Sequence, residues 1–265
     1  MPTALCPLCA SASVETWFEL AHVRILRCGS RGCGLGFVEQ QPTDQQLGSY
    51  YEEFYYPEHG GDPVFENSTD SKMEQHFAFL NGRLDLAAKT ILDYGCGVGG
   101  FLEVARTNGC DPMGVEYDDV ARSTASSNGF RVEREIGPYD DQTFDFIYMN
   151  DVIEHLRDPV ASLQQVRNRL KPGAAVFIVT MNMRGIKARV IGKRWDVVTN
   201  PTHLWFYDAR SLARSLKEAG FTRWSVERFS VEFPHHGILR RNVQRLLQRF
   251  GLDTSLRMLA WRGED

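Results

Sequence analysis

The stretch from Ile91 to Gly100 constrains the fold of this chain more than any other segment. An apolar run leads into Asp93, a glycine follows at every second position, and an amphipathic run begins at Phe101. This order of strand, glycine turn and helix is typical of a nucleotide-binding βα unit. Glycine lets a ligand lie against bare backbone, and the first turn of the helix supplies free N–H donors.

The identity of the ligand depends on the residues around these glycines. Gly95, Gly97 and Gly100 satisfy G-x-G-x-x-G, so a dinucleotide site is one interpretation. Asp93 favours another, because its carboxylate would repel a diphosphate but attract a ligand carrying an ammonium and a sulfonium. S-adenosylmethionine (SAM) is such a ligand. Glu116, about twenty residues beyond the first glycine, ends a second predicted strand, where a carboxylate can accept ribose hydroxyls.

Length and composition bound the architecture. With 265 residues, 43% of them hydrophobic, the chain can bury one substantial core and carry a small appendage. The net charge of −4 gives no global attraction to nucleic acid, so no nucleic-acid partner is expected. No signal peptide is recognised, and no apolar run approaches the roughly 18–20 residues of a transmembrane segment, so we expect a cytoplasmic protein.

A cysteine-rich module is predicted at the start of the chain, over residues 1–40. It contains four of the six cysteines: Cys6, Cys9, Cys28 and Cys33. The spacing is C-x2-C, then C-x4-C, with predicted strands at 17–20 and 23–26 between the pairs, and it suits four thiolates around Zn²⁺. Four cysteines leave no open coordination position, so the zinc is expected to be structural. Unrelated thiols or a redox pair are the alternatives.

Residues 41–88 are predicted to connect this zinc knuckle to the core. Aromatic side chains cluster at Tyr50, Tyr51, Phe54, Tyr55 and Tyr56. Such rings suit a lid over a ligand, and packing of an N-terminal helix against the sheet explains them equally well. A helix is predicted over 72–86.

From 89 to 232, predicted strands and helices alternate. Further strands are predicted at 112–116, 130–132, 144–149, 174–180 and 221–229, with helices at 118–128, 159–170 and 208–219. This alternation predicts an α/β fold with a doubly wound, mostly parallel sheet and a ligand site at the carboxyl ends of its strands. An insertion at 181–207 lies where an acceptor pocket would be built. Lys171-Pro172-Gly173 is interpreted as a stop between a helix and the fifth strand.

These motifs together resemble the class I SAM-dependent methyltransferases. The matching features are the 93–99 loop, Glu116, the strand 144–147, the segment 151–159 and the turn 170–173. The resemblance covers about residues 75 to 230, and with the cysteine knuckle it points to a branch acting on sugars, polysaccharides or secondary metabolites. It implies a seven-stranded sheet whose last strand is antiparallel. Residues 256–260 fit that strand, although a helix fits nearly as well.

The resemblance also implies which residues bind the cofactor. They are Asp93, Gly95, Cys96, Gly97, Glu116, Tyr117, Asn150 and Asp151. Asp93 and the two glycines would line the methionine end, Glu116 would hold the ribose and Tyr117 would lie along the adenine. An acid contacting the adenine amine is expected within 133–137, where no single position stands out.

Methyl transfer to a hydroxyl needs an aligned acceptor and a group that removes its proton. His155 and His203 are the candidate bases, with Asp151 beside them; a purely structural role is the alternative for each histidine. Asp151, Glu154 and His155 also have D-x-x-E-H spacing, which would place three ligands on one helical turn. With His203 they would bind a divalent metal, and in this motif the chain resembles metal-assisted O-methyltransferases.

The tail, 233–265, contains a basic amphipathic helix. Its apolar stripe consists of Leu239, Val243, Leu246, Leu247 and Phe250. We expect this stripe to pack on the core or to form a homodimer contact. An anionic acceptor or a membrane surface is the alternative partner.

The sequence thus predicts a SAM-dependent O-methyltransferase for a small hydroxylated acceptor, a sugar of a glycoconjugate or a secondary metabolite. A rival hypothesis makes the chain a binding module, in which the knuckle docks a protein or carrier on an inactive SAM fold. A nicotinamide-dependent oxidoreductase is the second rival.

Overall fold

The central element of the protein is a seven-stranded sheet. The computed structural model describes residues 4–20, 23–43, 45–47, 67–229, 231 and 238–264. The strands are β1 (Val14–Glu19), β2 (Arg24–Cys28), β3 (Gly36–Val38), β4 (Thr90–Tyr94), β5 (Asp111–Val115), β6 (Arg131–Glu133), β7 (Phe144–Asn150), β8 (Leu170–Met181), β9 (Trp205–Phe206), β10 (Arg223–Val226) and β11 (Ser255–Trp261). The sheet order is β10-β11-β8-β7-β4-β5-β6.

The last strand of this sheet is antiparallel, as predicted. β11 runs antiparallel to both β8 and β10, and the neighbouring pairs among β4 to β8 are parallel. Residues 256–260 are therefore strand rather than helix. The predicted α/β class and the mostly parallel seven-stranded sheet are confirmed.

Helices cover both faces of the sheet. They are α1 (Asn67–Leu84), α2 (Gly100–Thr107), α3 (Asp119–Ser127), α4 (Pro159–Arg169), α5 (Ile186–Val190), α6 (Asp196–Thr199), α7 (Ala209–Glu218) and α8 (Ile238–Arg249), with 3₁₀ turns at Ile153–His155 and Gly192–Arg194. Along β7, Phe146 and Tyr148 pack towards Phe77 of α1 and Phe101 of α2. The alternate residues, Ile147 among them, pack towards the α4 and α7 side. Such alternation buries every position of a central strand.

Two predicted strands differ from the structure at their ends. The helix stops where predicted, because α4 ends at Arg169; β8 begins directly at Leu170, however, so Lys171-Pro172-Gly173 lies inside that strand. The pairing steps from Leu170 opposite Phe144 to Ala175 opposite Phe146, and this irregularity accommodates a proline that cannot donate a ladder hydrogen bond. β10 is shorter than predicted, because the chain beyond it turns so that Phe229 stacks on Phe79 of α1 at 4.0 Å between ring centroids.

The cysteine module forms a second sheet with the insertion. β1, β2, β3 and β9 make a four-stranded antiparallel sheet, in which Phe37 of β3 pairs with Trp205 of β9. β9 lies within the predicted insertion, so the module and the insertion share one hydrogen-bonded structure. None of the helices in the described ranges is long and apolar enough to cross a membrane.

The C-terminal helix α8 departs from prediction. Val243, Leu246 and Phe250, three members of its apolar stripe, are exposed, so these side chains do not pack on the core. The helix instead docks through polar side chains: Gln248 is buried, and its Nε2 donates to the carbonyl oxygen of Phe229 at 2.9 Å. The predicted packing on the core is therefore wrong for these three side chains, because hydrogen bonds rather than apolar burial orient the helix. The alternative, a homodimer contact, stays a prediction. The side chain of Leu239 lies outside the described part of the structure.

Candidate functional site

The glycine loop between β4 and α2 forms the first half of the site. Gly95 and Gly97 have positive φ angles of 83° and 55°, which only glycine adopts without strain. A Cβ atom on Gly95 would overlap Cγ2 of Val152, whereas a Cβ on Gly97 would meet nothing within 4 Å. Gly95 is thus fixed by packing, while the backbone of Gly97 borders open space in which a ligand can approach.

Glu116 connects this loop to the end of β5. Its Oε2 accepts the N–H of Gly97 at 2.8 Å, and its Oε1 accepts the N–H of Asp118 at 2.8 Å. Asp93 is buried beneath the loop, and burial together with the charge of Glu116 raises the pKa of its carboxyl group well above the usual range. Cys96 is also buried, and burial raises the pKa of its thiol. The two acids therefore lie near each other, at the ends of adjacent parallel strands.

The predicted adenine side of the site is open to solvent. Tyr117 is exposed, and the guanidinium carbon of Arg134 lies 4.0 Å from the centroid of its ring. Arg134 also forms an ion pair with Asp119 at 2.6 Å. Within the 133–137 region, Glu133 ends β6, next to the end of β5. One face of the Tyr117 ring is thus occupied by an arginine of that region, a contact that spacing alone does not reveal.

Asn150 ends β7, and Asp151, which follows it, contacts α1. Asp151 has φ 55°, a strained conformation for a residue other than glycine. Its Oδ2 accepts from Nδ2 of Asn150 at 2.9 Å and pairs with Nζ of Lys72 at 3.1 Å. Oδ1 of Asn150 is buried without a hydrogen-bond partner. The structure therefore places an unsatisfied acceptor at the end of the strand that neighbours β4.

Glu154, His155 and His203 form the second half of the site. Each of the three offers one potential ligand atom, and these atoms all lie within 4.8 Å of one another. The ring centroids of His155 and His203 are 4.7 Å apart. Asp151 lies before the 3₁₀ turn that carries Glu154 and His155, so the predicted single helical turn with all three ligands is wrong. The left-handed backbone at Asp151 separates its side chain from that turn.

The two histidines are held by backbone carbonyl groups. Nδ1 of His155 lies 3.1 Å from the carbonyl oxygen of Thr202, and Nδ1 of His203 lies 2.8 Å from that of Val197. Because a carbonyl oxygen only accepts, each Nδ1 carries the proton and each Nε2 keeps its lone pair. Burial and the neighbouring His203 lower the pKa of His155 to about 4, and burial also lowers the pKa of His203, so both rings are neutral at neutral pH.

Glu154 is the buried carboxylate of this cluster. Its Oε2 accepts from Oγ1 of Thr180 at 2.9 Å, whereas Oε1 has no hydrogen-bond partner. Burial and the nearby charge of Asp151 raise the pKa of Glu154 to about 8. A buried carboxylate oxygen without a partner is costly and calls for a cation, a proton donor or an ordered water.

The four module cysteines also converge. Sγ of Cys6 lies 3.7 Å from Sγ of Cys33, Sγ of Cys9 lies 3.5 Å from Sγ of Cys28, and all four sulfurs are within 4.8 Å of one another. Zn–S bonds of about 2.3 Å in a tetrahedron separate sulfurs by similar distances. The predicted clustering of these four residues is confirmed.

Comparison with known proteins identifies the fold around these residues. A family model described as a methyltransferase domain matches residues 66–226. The chain belongs to this family of SAM-dependent methyltransferases. The ubiquinone biosynthesis O-methyltransferase of Thiobacillus denitrificans is 30% identical over 159 residues, covering 54% of this chain and 68% of that protein. The Azoarcus protein of the same name is 27% identical with the same coverage.

Solved structures share the fold at low sequence identity. A SAM-dependent methyltransferase from Archaeoglobus fulgidus superposes with a TM-score of 0.58 at 15% identity, over 79% of this chain and all of that one. The Burkholderia thailandensis 1,6-didemethyltoxoflavin-N1-methyltransferase, solved with its acceptor and S-adenosylhomocysteine, gives 0.59 at 15% identity, over 94% of this methyltransferase and 99% of that chain.

Sequence reasoning missed Lys72 and His76 of α1. His76 is fully buried, and its Nδ1 lies 2.6 Å from the hydroxyl of Tyr148 on β7. A signal was present: Met73, Phe77 and Leu80 mark the buried face of the helix, and His76 falls within it at helical spacing. The predicted lid aromatics at 50–56 lie outside the described residues.

Proposed function

We propose that this methyltransferase transfers the methyl group of SAM to a hydroxyl of a small hydroxylated acceptor. The carrying observation is the convergence of Glu154, His155 and His203 within 4.8 Å, after the strand that neighbours the glycine-loop strand. A sugar of a glycoconjugate or a secondary metabolite is our proposed acceptor. The relatives named for O-methylation in ubiquinone biosynthesis support the oxygen as the methylated atom.

The chain would divide the work between its two half-sites. SAM supplies an activated methyl group, so the protein has only to align the acceptor, exclude water and remove one proton. Asp93 and Glu116 would bind the cofactor at the methionine and ribose ends, with Gly95, Gly97 and Asn150 lining it. A neutral His203 has a lone pair on Nε2 and would accept the hydroxyl proton as the oxygen–methyl bond forms and S-adenosylhomocysteine leaves.

Alternatively, we propose that Glu154, His155 and His203 hold a divalent cation, in which case Nε2 of His203 would be a ligand and could not also act as the base. In metal sites each ligating histidine commonly donates its other N–H to a backbone carbonyl or carboxylate, which is the arrangement of both rings. Oε1 of Glu154, which has no hydrogen-bond partner, would become a ligand of the cation. A cation there would polarise an acceptor hydroxyl and lower its pKa. Asn200 Nδ2, 3.4 Å from His203 Nε2, would have to turn away.

The four module cysteines would bind structural zinc. Their sulfur separations suit a tetrahedral site, and four protein ligands leave no position for substrate. Because β3 of the module pairs with β9, only two residues after His203, zinc would indirectly stabilise the position of that histidine.

The cofactor assignment is tested by calorimetric titration with S-adenosylhomocysteine. Wild type is expected to bind in the micromolar range. Glu116→Ala is expected to lower the affinity about tenfold to a hundredfold, since it removes the carboxylate that accepts the N–H groups of Gly97 and Asp118 and holds the loop. Glu103→Ala, an exposed carboxylate on α2, is the matched control and should bind normally. Absence of binding by the zinc-loaded wild type would contradict the proposal and favour a binding module.

The reaction is tested with labelled SAM and a panel of sugars and phenolic metabolites, in Mg²⁺ or in a chelator that spares tightly bound zinc. Methylation of a hydroxylated acceptor that depends on Mg²⁺ supports the hydroxyl acceptor and the cation site, in place of His203 as the base. Chelator-resistant methylation would retain the hydroxyl acceptor and overturn the cation. Tighter binding of NADH than of S-adenosylhomocysteine would contradict both.

A further inference from the structure

The apolar stripe of helix α8 faces away from the protein core. Val243, Leu246 and Phe250 lie on one side of the helix and are 48%, 55% and 67% exposed. The opposite side docks by hydrogen bonds: Nε2 of Gln244 donates to the carbonyl oxygen of Val231 at 3.2 Å, and Gln248 is buried. The helix is therefore fixed in an orientation that presents large apolar side chains outward.

A second exposed apolar segment adjoins the end of this helix. Val190, the last residue of the short helix α5, and Ile191, which follows it, are 74% and 40% exposed. The N–H of Ile186 at the start of α5 donates to the carbonyl oxygen of Leu252 at 2.8 Å, so α5 begins where the turn after α8 ends. We call these five residues, Val190, Ile191, Val243, Leu246 and Phe250, the α5–α8 face.

The two segments that carry this face are basic. Residues 184–195 and 238–252 contain nine lysines and arginines and no aspartate or glutamate, in a chain of net charge −4. The described basic side chains of these segments are exposed: Arg184, Lys187, Arg189, Lys193, Arg194, Arg245 and Arg249. Exposed apolar residues flanked by basic ones are the pattern of helices that lie in a lipid–water interface.

We infer that the α5–α8 face docks this methyltransferase on an anionic lipid surface. A second copy of the chain fits less well, because a twofold contact would bring two basic surfaces together and like charges across an interface are costly. Nucleic acid also fits less well, since four of the five residues of the face are aliphatic and Phe250 alone offers a ring for a base to stack on. An anionic bilayer complements both the charge and the apolar side chains.

The attachment is peripheral and linked to the catalytic insertion. No described helix is long and apolar enough to span a bilayer. Binding would therefore depend on how deeply a few apolar side chains insert into the lipid surface and on the attraction of the basic residues to anionic lipids. The same insertion that carries Val190 and Ile191 continues through α6 to His203. Docking would therefore bring the insertion that also carries His203 to the lipid surface.

Co-sedimentation of the full chain with vesicles tests this inference. Vesicles of phosphatidylcholine and phosphatidylglycerol in equal parts are expected to bind the protein, whereas vesicles of phosphatidylcholine alone bind at least about tenfold less. Raising the salt concentration should release the protein, because the Debye length shortens to about 3 Å at 1 M. Equal binding to both vesicle types, or none, would overturn the inference.

Matched charge variants locate the surface. Leu246→Glu is expected to lower the partition coefficient by about tenfold or more. Val120→Glu, which introduces the same charge at a 54% exposed position on α3, should leave it within about twofold. Phe250→Glu provides a second position should Leu246→Glu unfold, and Phe250→Trp should retain binding. Equal losses in Leu246→Glu and Val120→Glu would contradict the assignment of the face.

Light scattering and an RNA-binding assay test the other two partners. If the wild type is a dimer and Leu246→Glu converts it to a monomer, the partner of the α5–α8 face is a second copy of the chain, and the inference of a lipid surface is overturned. Binding to RNA without binding to anionic vesicles would likewise overturn the inference.

Discussion

The glycine loop and the Glu154–His155–His203 cluster lie at the same edge of the sheet but are built in different ways. The loop is local: consecutive residues from Asp93 supply it, and Glu116, at the end of the adjacent strand, holds it by a hydrogen bond. The cluster is assembled across the chain, because His203 arrives from an insertion nearly fifty residues after His155. A local motif can be read from spacing, whereas a site assembled at long range depends on how the insertion packs.

The largest effect is expected for His203→Gln, which should lower turnover without changing cofactor affinity. His203→Gln removes a neutral imidazole and should lower turnover by about 10²–10⁴-fold, the usual contribution of a positioned base. Affinity for S-adenosylhomocysteine should not change, because the loop lies outside this cluster. Single-turnover kinetics and calorimetry measure the two quantities.

The companion variant His155→Gln decides between a lone base and a cation site. An equal fall in turnover is expected if both histidines hold a cation. Retained turnover would leave His203 as the base alone. A parallel loss of cofactor affinity in either variant would contradict the separation of the two half-sites.

An intermediate effect is expected within the loop. Gly95→Ala introduces a Cβ at φ 83° that overlaps Val152, so it should lower the free energy of unfolding by about 2–4 kcal/mol. Gly97→Ala has open space around its Cβ and should cost only about 1 kcal/mol in conformational strain. Urea denaturation measures both.

Two outcomes test the cause of that difference. Val152→Ala in the Gly95→Ala background should recover part of the loss, since it removes the overlapping methyl group. Equal losses for Gly95→Ala and Gly97→Ala would mean that backbone strain, not packing, sets the stability of the loop.

The last effect develops only as the pH falls and concerns His76, a fully buried histidine outside the cluster. Burial, with Lys72 and Arg257 nearby, lowers its pKa to about 2, so His76 stays neutral in the folded protein. The unfolded chain takes up its proton below about pH 6.5, and stability should therefore fall by up to about 1.4 kcal/mol per pH unit as the pH drops further.

A double variant isolates this contribution from that of His155, whose pKa is shifted in the same direction. His76→Phe with Tyr148→Phe replaces both hydrogen-bond partners by apolar rings, which costs little when both are removed. Denaturation between pH 4 and 7 should show a shallower loss in the double variant. Identical slopes would mean that His76 is already protonated in the fold.

Patterns confined to one segment were predictable. Strand alternation, the glycine loop, the cysteine spacing and the position of Glu116 all follow from local periodicity and from the rule that parallel strands end at one edge. The same reasoning predicts the end of α4 before Lys171-Pro172-Gly173 but fails for the start of β8, because a register irregularity accommodates this turn-like tripeptide within the strand. It fails again at Asp151, where a left-handed backbone interrupts an apparent ligand motif.

The sequence by itself determined the α/β class, the cofactor loop and the four-cysteine cluster, since each depends on side chains close in the chain or on strand order. Only the tertiary structure decided that β9 completes the sheet of the cysteine module, that His203 joins Glu154, and that α8 turns its apolar stripe outward. These features depend on which surfaces meet. A helical pattern specifies two faces, but hydrogen bonds from Gln244 and Gln248 determine which of them is buried.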